Sequence, residues 1–177
     1  MSALLLLAAL PSALAQEPDD MKPGLIAEFF NIGKAMEEFP TIPTERKPDF
    51  RRVDRQINYE QTTETFPGTV MTDHFYVRWT GRIRIPRDGK ITFFTESDDG
   101  SRLWIDGKIV VDNGGLHAME EKSGDIDLKA GEHDLKVELF ENDGDVGCKL
   151  SWESGGAAKE ILPEGALIHK KDKDLDK

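Results

Sequence analysis

Residues 75–113 read FYVRWTGRIRIPRDGKITFFTESDDGSRLWIDGKIVVDN, and this run decides the fold class. Phe75, Val77 and Trp79 alternate with Tyr76 and Arg78, and after Gly81 the residues Ile83 and Ile85 alternate with Arg82 and Arg84. A half-buried strand requires this period of two, because successive side chains leave opposite faces. Pro86-Arg87-Asp88-Gly89 predicts a turn and Lys90 to Thr95 a second strand, so the two runs read as a hairpin. Leu103-Trp104-Ile105 and Ile109-Val110-Val111 flank Asp106-Gly107, the dipeptide that best accepts the positive φ angles of a two-residue hairpin turn.

The pattern extends outward. Ile126 and Leu128 fall in a further strand, and Ala130-Gly131 turns the chain. Leu135, Val137 and Leu139 then alternate with Asp134, Lys136 and Glu138, and Val146 to Trp152 closes the series. Upstream, Gly24 to Asn31 reads as an opening strand. Residues 34–70 carry Pro40, Pro43, Pro48 and Pro67 and are less regular; a short helix is predicted around Lys34 to Phe39. Short strands separated by Gly and Asp turns predict an all-β chain, an antiparallel sandwich or barrel. At least two of Trp79, Trp104 and Trp152 are expected in its core.

The chain has 177 residues, enough for one domain with tails. Lys and Arg total 23 against 34 Asp and Glu, a net charge of −11. Phosphate-rich partners need a positive field, so nucleic acid and anionic lipid surfaces are poor partners. Divalent cations and neutral polar ligands stay open. Residues 1–15, MSALLLLAALPSALA, hold no charged side chain and end in a small-x-small cleavage pattern, which predicts a signal peptide and an exported protein, periplasmic or extracellular. No transmembrane anchor is expected in the mature chain. Residues 16–23 are expected as a linker, 24–168 as the domain, and 169–177, rich in Lys and Asp, as a charged disordered tail. The single cysteine, Cys148, excludes an intrachain disulfide and reads as a small core residue.

Acidic residues gather in loops: Ser97-Asp98-Asp99-Gly100-Ser101, Asp112-Asn113-Gly114-Gly115 and Glu141-Asn142-Asp143-Gly144-Asp145. Calcium takes six to eight oxygen ligands, and neighbouring carboxylates repel unless a cation lies between them. Asp, Asn and Gly are also plain turn formers, so composition leaves both readings open. The spacing does not fit an EF-hand. Arg102 is a candidate charge partner for Asp98 and Asp99, and His117 reads as a structural hydrogen-bonding residue. No Ser/His/Asp, Cys/His or HExxH arrangement occurs, so a non-catalytic chain is expected.

The order WTG, strand, SDDGSRLWIDG, VVDN, AGEH and LSW, preceded by Gly24-Leu25-Ile26-Ala27-Glu28-Phe29-Phe30, resembles the PA14 domain family over roughly residues 24–168. The resemblance implies a β-sandwich or barrel found in adhesins, toxins and glycosidases. In the fungal adhesins of that family two successive Asp residues joined by a cis peptide bind calcium, and the matching positions are Asp98 and Asp99. A later loop there supplies an Asn side chain and backbone carbonyls, matched by Asn142 and the carbonyls near Gly144 and Val146. Sugar hydroxyls complete the shell. The resemblance therefore implies a calcium-dependent, lectin-like carbohydrate-binding module. Its expected ligands are Asp98, Asp99 and Asn142, with Asp143 or Asp145 auxiliary and Trp104 as a groove-facing candidate. The expected partner is a glycan or cell-surface polysaccharide. The alternative is a structural module for protein contacts without sugar. The chain departs from the family's VDNWG segment, reading Val111-Asp112-Asn113-Gly114-Gly115, which removes one candidate surface for stacking a sugar.

Overall fold

The computed structural model describes residues 20–176; the stretch 1–15, expected from sequence to be a signal peptide, lies outside them. In chain order the strands are β1 (Met21–Pro23), β2 (Leu25–Asn31), β3 (Phe50–Asp54), β4 (Asn58–Thr62), β5 (Phe75–Ile85), β6 (Gly89–Asp98), β7 (Ser101–Ile105), β8 (Lys108–Asn113), β9 (Glu120–Leu128), β10 (Gly131–Glu141), β11 (Val146–Ser154), β12 (Glu160–Ile161) and β13 (Leu167–Lys170). One sheet runs β1-β13-β5-β10-β7-β8, with β2 on β5 and β3 on β2. The other runs β12-β11-β6-β9, with β4 also on β11. Every strand pair is antiparallel. The fold is an antiparallel β-sandwich.

The alternating rows meet in one core. Val77, Trp79 and Ile83 of β5, Val137 and Leu139 of β10, Ile91 and Phe93 of β6, and Cys148 and Leu150 of β11 are all buried in it. Trp79 and Trp152 belong to this core, and the Trp79 indole N–H donates to Asp54 Oδ2 at 2.7 Å. Burial without a charged neighbour pushes the Cys148 thiol up to about 12, so it stays protonated and inert.

Two sequence expectations change here. The runs 75–85 and 90–95 do form strands, but they do not pair. β5 pairs with β10, β2 and β13, whereas β6 pairs with β11 and β9. The turn at Pro86–Asp88 carries the chain from one sheet to the other. Alternation says that one face of a strand is buried; both sheets bury a face in the same core, so it cannot say which sheet a strand joins. No helix forms at 34–39. Met36 instead packs with Phe30, Tyr76 and Phe140 on the outer face of the first sheet, flanked by Ile32, Phe39 and Ile42. So short a segment before Pro40 gains too little from helix propagation to offset nucleation.

The domain edges move outward. Met21–Pro23, placed in the linker by sequence, pairs with β13, and His169 and Lys170, placed in the tail, belong to β13 itself. His169 is buried between Gly24 O at 3.1 Å and Asp176 Oδ2 at 3.1 Å, and Arg51 Nη2 lies 2.5 Å from Asp172 Oδ2. These contacts fasten residues 172–176 to the sandwich.

The Asp106-Gly107 hairpin is as expected: β7 pairs with β8, and both turn residues have positive φ, 48° and 75°. Asp106 also clamps this turn to the next one along. His133 Nδ1 lies 2.7 Å from Asp106 Oδ2, and His133 Nε2 lies 2.8 Å from Lys129 O. Partial burial alone would lower the His133 pKa, but these two acceptors and the Asp106 charge outweigh it and hold the value raised. Burial likewise opposes, and His133 with the Asp134 amide overcomes, the shift of Asp106, which is lowered. A raised histidine stabilises fully below its unfolded value of about 6.5, and the contribution fades as pH rises through the folded value. The lowered carboxylate contributes above about 3.9 and fades as pH falls through its folded value. His133→Gln should therefore destabilise the fold most near pH 5–6, by under about 1 kcal/mol because its partner Asp106 is half exposed, and hardly at all at pH 9. Thermal unfolding across that pH range checks this; an equal loss at both ends would mean that the ring acts by shape alone.

Candidate metal and ligand site

The site forms where β6 ends, β7 begins and β10 ends. Asp98 is the last residue of β6 and Asp99 follows it, joined by a cis peptide bond. Both are 6% exposed. Gly100 then passes so close to Phe140 that a Cβ would overlap the ring, so this position needs glycine. Phe140 N–H donates to Gly100 O at 3.0 Å and fixes the loop to β10.

β10 contributes the residue that sequence reasoning missed. Glu141 continues the inward row of Leu135, Val137 and Leu139 and is fully buried. Its Oε2 accepts the Asp99 N–H at 3.1 Å, while its Oε1 has no hydrogen-bond partner. One oxygen from each of Asp98, Asp99 and Glu141 can lie within 4.8 Å of the other two. The signal was present in the sequence: the apolar row 135, 137, 139 ends on an acid at 141, and an acid on a core row needs a compensating partner.

Hydrogen bonds orient the trio. Asp98 Oδ2 accepts from Gln61 Nε2 at 2.8 Å. Asp99 Oδ1 accepts the His117 amide at 3.1 Å, and Oδ2 accepts the Asn142 amide at 2.9 Å. Each carboxylate oxygen has two lone pairs, so one amide apiece leaves Asp99 able to bind further. Burial first, and then Asp99 and Asp98, push the Glu141 carboxyl up to about 9. Burial also raises Asp98, followed by the charges of Asp99 and Asp145, with Gln61 opposing. The trio thus holds more negative charge than its protein neighbours offset. Protons or a cation can supply the balance.

Asp98 and Asp99, with Glu141 buried behind them, line a shallow depression of about 470 Å³ together with Gln61, Leu116, His117, Ala118, Asn142, Asp143 and Asp145. Asn142, Asp143 and Asp145 line the same depression. Asn142 Oδ1 accepts the Met36 amide at 2.8 Å and Nδ2 donates to Asp143 Oδ2 at 2.9 Å. Asp143 in turn meets His74 Nε2 at 3.0 Å. His117 is structural, as expected: its ring nitrogens lie 3.0 Å from Ala118 O and 3.1 Å from Asn113 O. Two candidates do not reach the site. Trp104 lies on the outer face of the first sheet, where its indole N–H donates to Glu138 at 2.8 Å and Lys136 Nζ sits 4.4 Å over the ring. Strand parity explains this, because Leu103 and Ile105 take the core face. Arg102, one strand position from Leu103 on that same outer face, pairs with Asp112 at 2.9 Å rather than with Asp98 or Asp99.

Residues 21–166 match the family model of the PA14 domain. The chain belongs to the PA14 domain family. Among curated relatives, it is 34% identical over 119 residues to the anti-sigma-I factor RsgI3 of Acetivibrio thermocellus, covering 67% of this chain and 18% of that protein. It is 28% identical over 133 residues to an alpha-agarase of Thalassotalea agarivorans, covering 75% of this chain and 8% of that enzyme. This chain therefore spans less than a fifth of either relative. Among solved structures, a PA14 sugar-binding domain from an RTX adhesin superposes with a TM-score of 0.72 at 18% identity, over 83% of this chain and 98% of that one. The Epithelial Adhesin 9 A domain of Candida glabrata, solved with Galβ1-3GlcNAc, gives 0.69 at 10% identity, over 91% and 95%. At these identities the likeness to the PA14 structures is one of fold. No helix among the described residues is long and apolar enough to cross a membrane.

Proposed function

We propose that this PA14 domain is a non-catalytic carbohydrate-binding module whose glycan site is centred on calcium held by Asp98, Asp99 and Glu141. The observation that carries the reading is the buried trio with an unpartnered Glu141 Oε1, two of whose members, Asp98 and Asp99, line a solvent-facing depression. A hard oxygen-binding cation suits an all-oxygen donor set of this kind. Asn142 and Asp145 stand at the rim, where they can add oxygens or hold water. Calcium bound there would accept sugar hydroxyl oxygens in place of water.

The protein's own groups perform the rest. The amides of His117 and Asn142 fix Asp99, Gln61 fixes Asp98, and Met36 fixes Asn142. The open rim admits a ring with several hydroxyls, and the acidic surround disfavours anionic ligands. The sugar-binding title of the RTX adhesin domain and the disaccharide bound by the Epithelial Adhesin 9 domain support this reading. An alternative module for protein contacts draws on the anti-sigma factor relative.

Calorimetric titration with calcium separates the two. Asp99→Asn removes one charge and keeps an acceptor oxygen for only one of the two amides, so calcium affinity should drop at least about tenfold, with a stability loss on the order of 1–3 kcal/mol that thermal unfolding reads separately. Binding of the wild-type domain to a glycan array should vanish with chelator and in Asp99→Asn. Unchanged calcium affinity in that variant, or protein capture that ignores chelator, would favour the protein-contact module.

A further inference from the structure

A second depression, of about 600 Å³, lies next to the proposed calcium site and has no part in it. It is lined by Asn31, Asp49, Phe50 and the segment Gly68–Asp73. Two apolar side chains in its lining are open to solvent, Phe50 at 39% exposed and Val70 at 92%. Its rim is polar and acidic. Asp49 uses Oδ2 for both the Asn31 amide, at 2.8 Å, and Arg46. Asp73 uses Oδ1 for the Gly144 amide at 3.2 Å. A carboxylate has two acceptor oxygens, so each residue keeps one for another donor.

A loop contact links the walls of the two depressions. The Asp73–Gly144 bond ties the wall of the second to the loop that carries Asn142, Asp143 and Asp145 at the rim of the first. His74 reinforces this tie, donating its amide to Asn142 O at 2.9 Å and meeting Asp143 through its ring.

We infer that this depression is a second subsite for a neutral oligosaccharide, taking a sugar ring further along the chain whose first ring sits at the calcium site. The inference rests on the glycan-binding reading above. A pyranose has an apolar C–H face and a girdle of hydroxyl donors. Phe50 and Val70 offer the first a surface, and Asp49, Asp73 and Asn31 accept from the second. Two carboxylates at the rim reject sulfated or uronic-acid chains by like charge. The volume falls within the range of small-molecule sites. The joining loop supplies the continuity that lets one chain occupy both depressions, and the second contact is then intramolecular.

Affinities for galactose, for Galβ1-4GlcNAc and for a linear tetrasaccharide of two Galβ1-4GlcNAc units, measured by calorimetry in saturating calcium, test this. The wild-type domain should bind the tetrasaccharide about tenfold more tightly than the disaccharide, and Phe50→Ala should abolish that preference. Val70→Asp, at a fully exposed position that cannot disturb the core, should do the same, which guards against misfolding of the first variant. A length preference that survives both variants overturns the subsite and leaves the glycan reading standing. Absence of binding by all three sugars and across the glycan array overturns both. A dimer in sedimentation that dissociates in Phe50→Ala would show that this face pairs two copies of the chain, and would also overturn the subsite.

Discussion

Glu141→Gln is expected to raise the melting temperature of the calcium-free domain at pH 7 and, in the same protein, to weaken calcium binding. Glu141 is fully buried, and burial with Asp99 and Asp98 holds its carboxyl near 9. In the unfolded chain the value is about 4.3. Between those two values the folded protein binds a proton that the unfolded chain does not, so calcium-free stability falls as pH rises through this window. Glutamine needs no proton. Its side-chain oxygen can still accept the Asp99 amide, and its NH2 group can donate to the neighbouring carboxylates. The gain should be on the order of 1–3 kcal/mol at pH 7 and close to nothing at pH 4. Calcium reverses the order. A cation is held by ligand charge, so loss of one carboxylate should weaken binding by at least about tenfold, and wild type should then gain more stability from added calcium. Thermal unfolding at pH 4 and pH 7, with calcium and with chelator, checks both halves. A less stable calcium-free variant with wild-type calcium affinity would remove Glu141 from the site and make it a structural acid.

Gly124→Ala should cost about 3 kcal/mol or more, a large share of the stability of a domain of this size. β8 is an edge of the first sheet and β9 an edge of the second, and they come together where the sandwich closes. A Cβ on Gly124 would overlap the carbonyl oxygen of Val110, with that carbonyl carbon only 2.8 Å away. Val110 lies at a bulge between Ile109 and Val111, both paired with β7, and main chain anchored on both sides cannot move aside as a flexible side chain can, so one edge strand must shift. Gly165→Ala is the control, since a Cβ there meets nothing within 4 Å. Denaturant unfolding should show a loss for Gly124→Ala and a change within about 0.5 kcal/mol for Gly165→Ala. Equal midpoints would mean that the seam is not rigid.

Both predictions concern residues that the sequence alone left unmarked. Glu141 stood inside a loop whose five residues look alike as turn formers, and only its parity with Leu135, Val137 and Leu139 set it apart. Gly124 lies in EEKSGDIDL, where nothing announces the neighbouring strand. The Asp98-Asp99 pair was legible because two adjacent acids between strands are conspicuous. Trp104 was misplaced as a groove residue although strand parity with Leu103 and Ile105 already put it on the other face. Arg102 was assigned to the nearest acids in sequence, whereas its partner, Asp112, lies directly across the β7–β8 pair.

What the sequence determined by itself is local: which runs are strands, which side of each strand is buried, where a Gly or Asp turn reverses the chain, and that the net charge disfavours polyanionic partners. These follow from side-chain chemistry over a few residues, with a period of two that chain geometry imposes. The tertiary structure decided everything that depends on strand order. It sent β5 and β6 to different sheets, brought Glu141 of β10 beside Asp99 across 42 residues, and set a Phe50-lined hollow against the loop after β10. A one-dimensional pattern cannot encode these neighbours. Two sheets sharing one core make the same alternating demand on every strand, and the choice between them belongs to the packing of the whole.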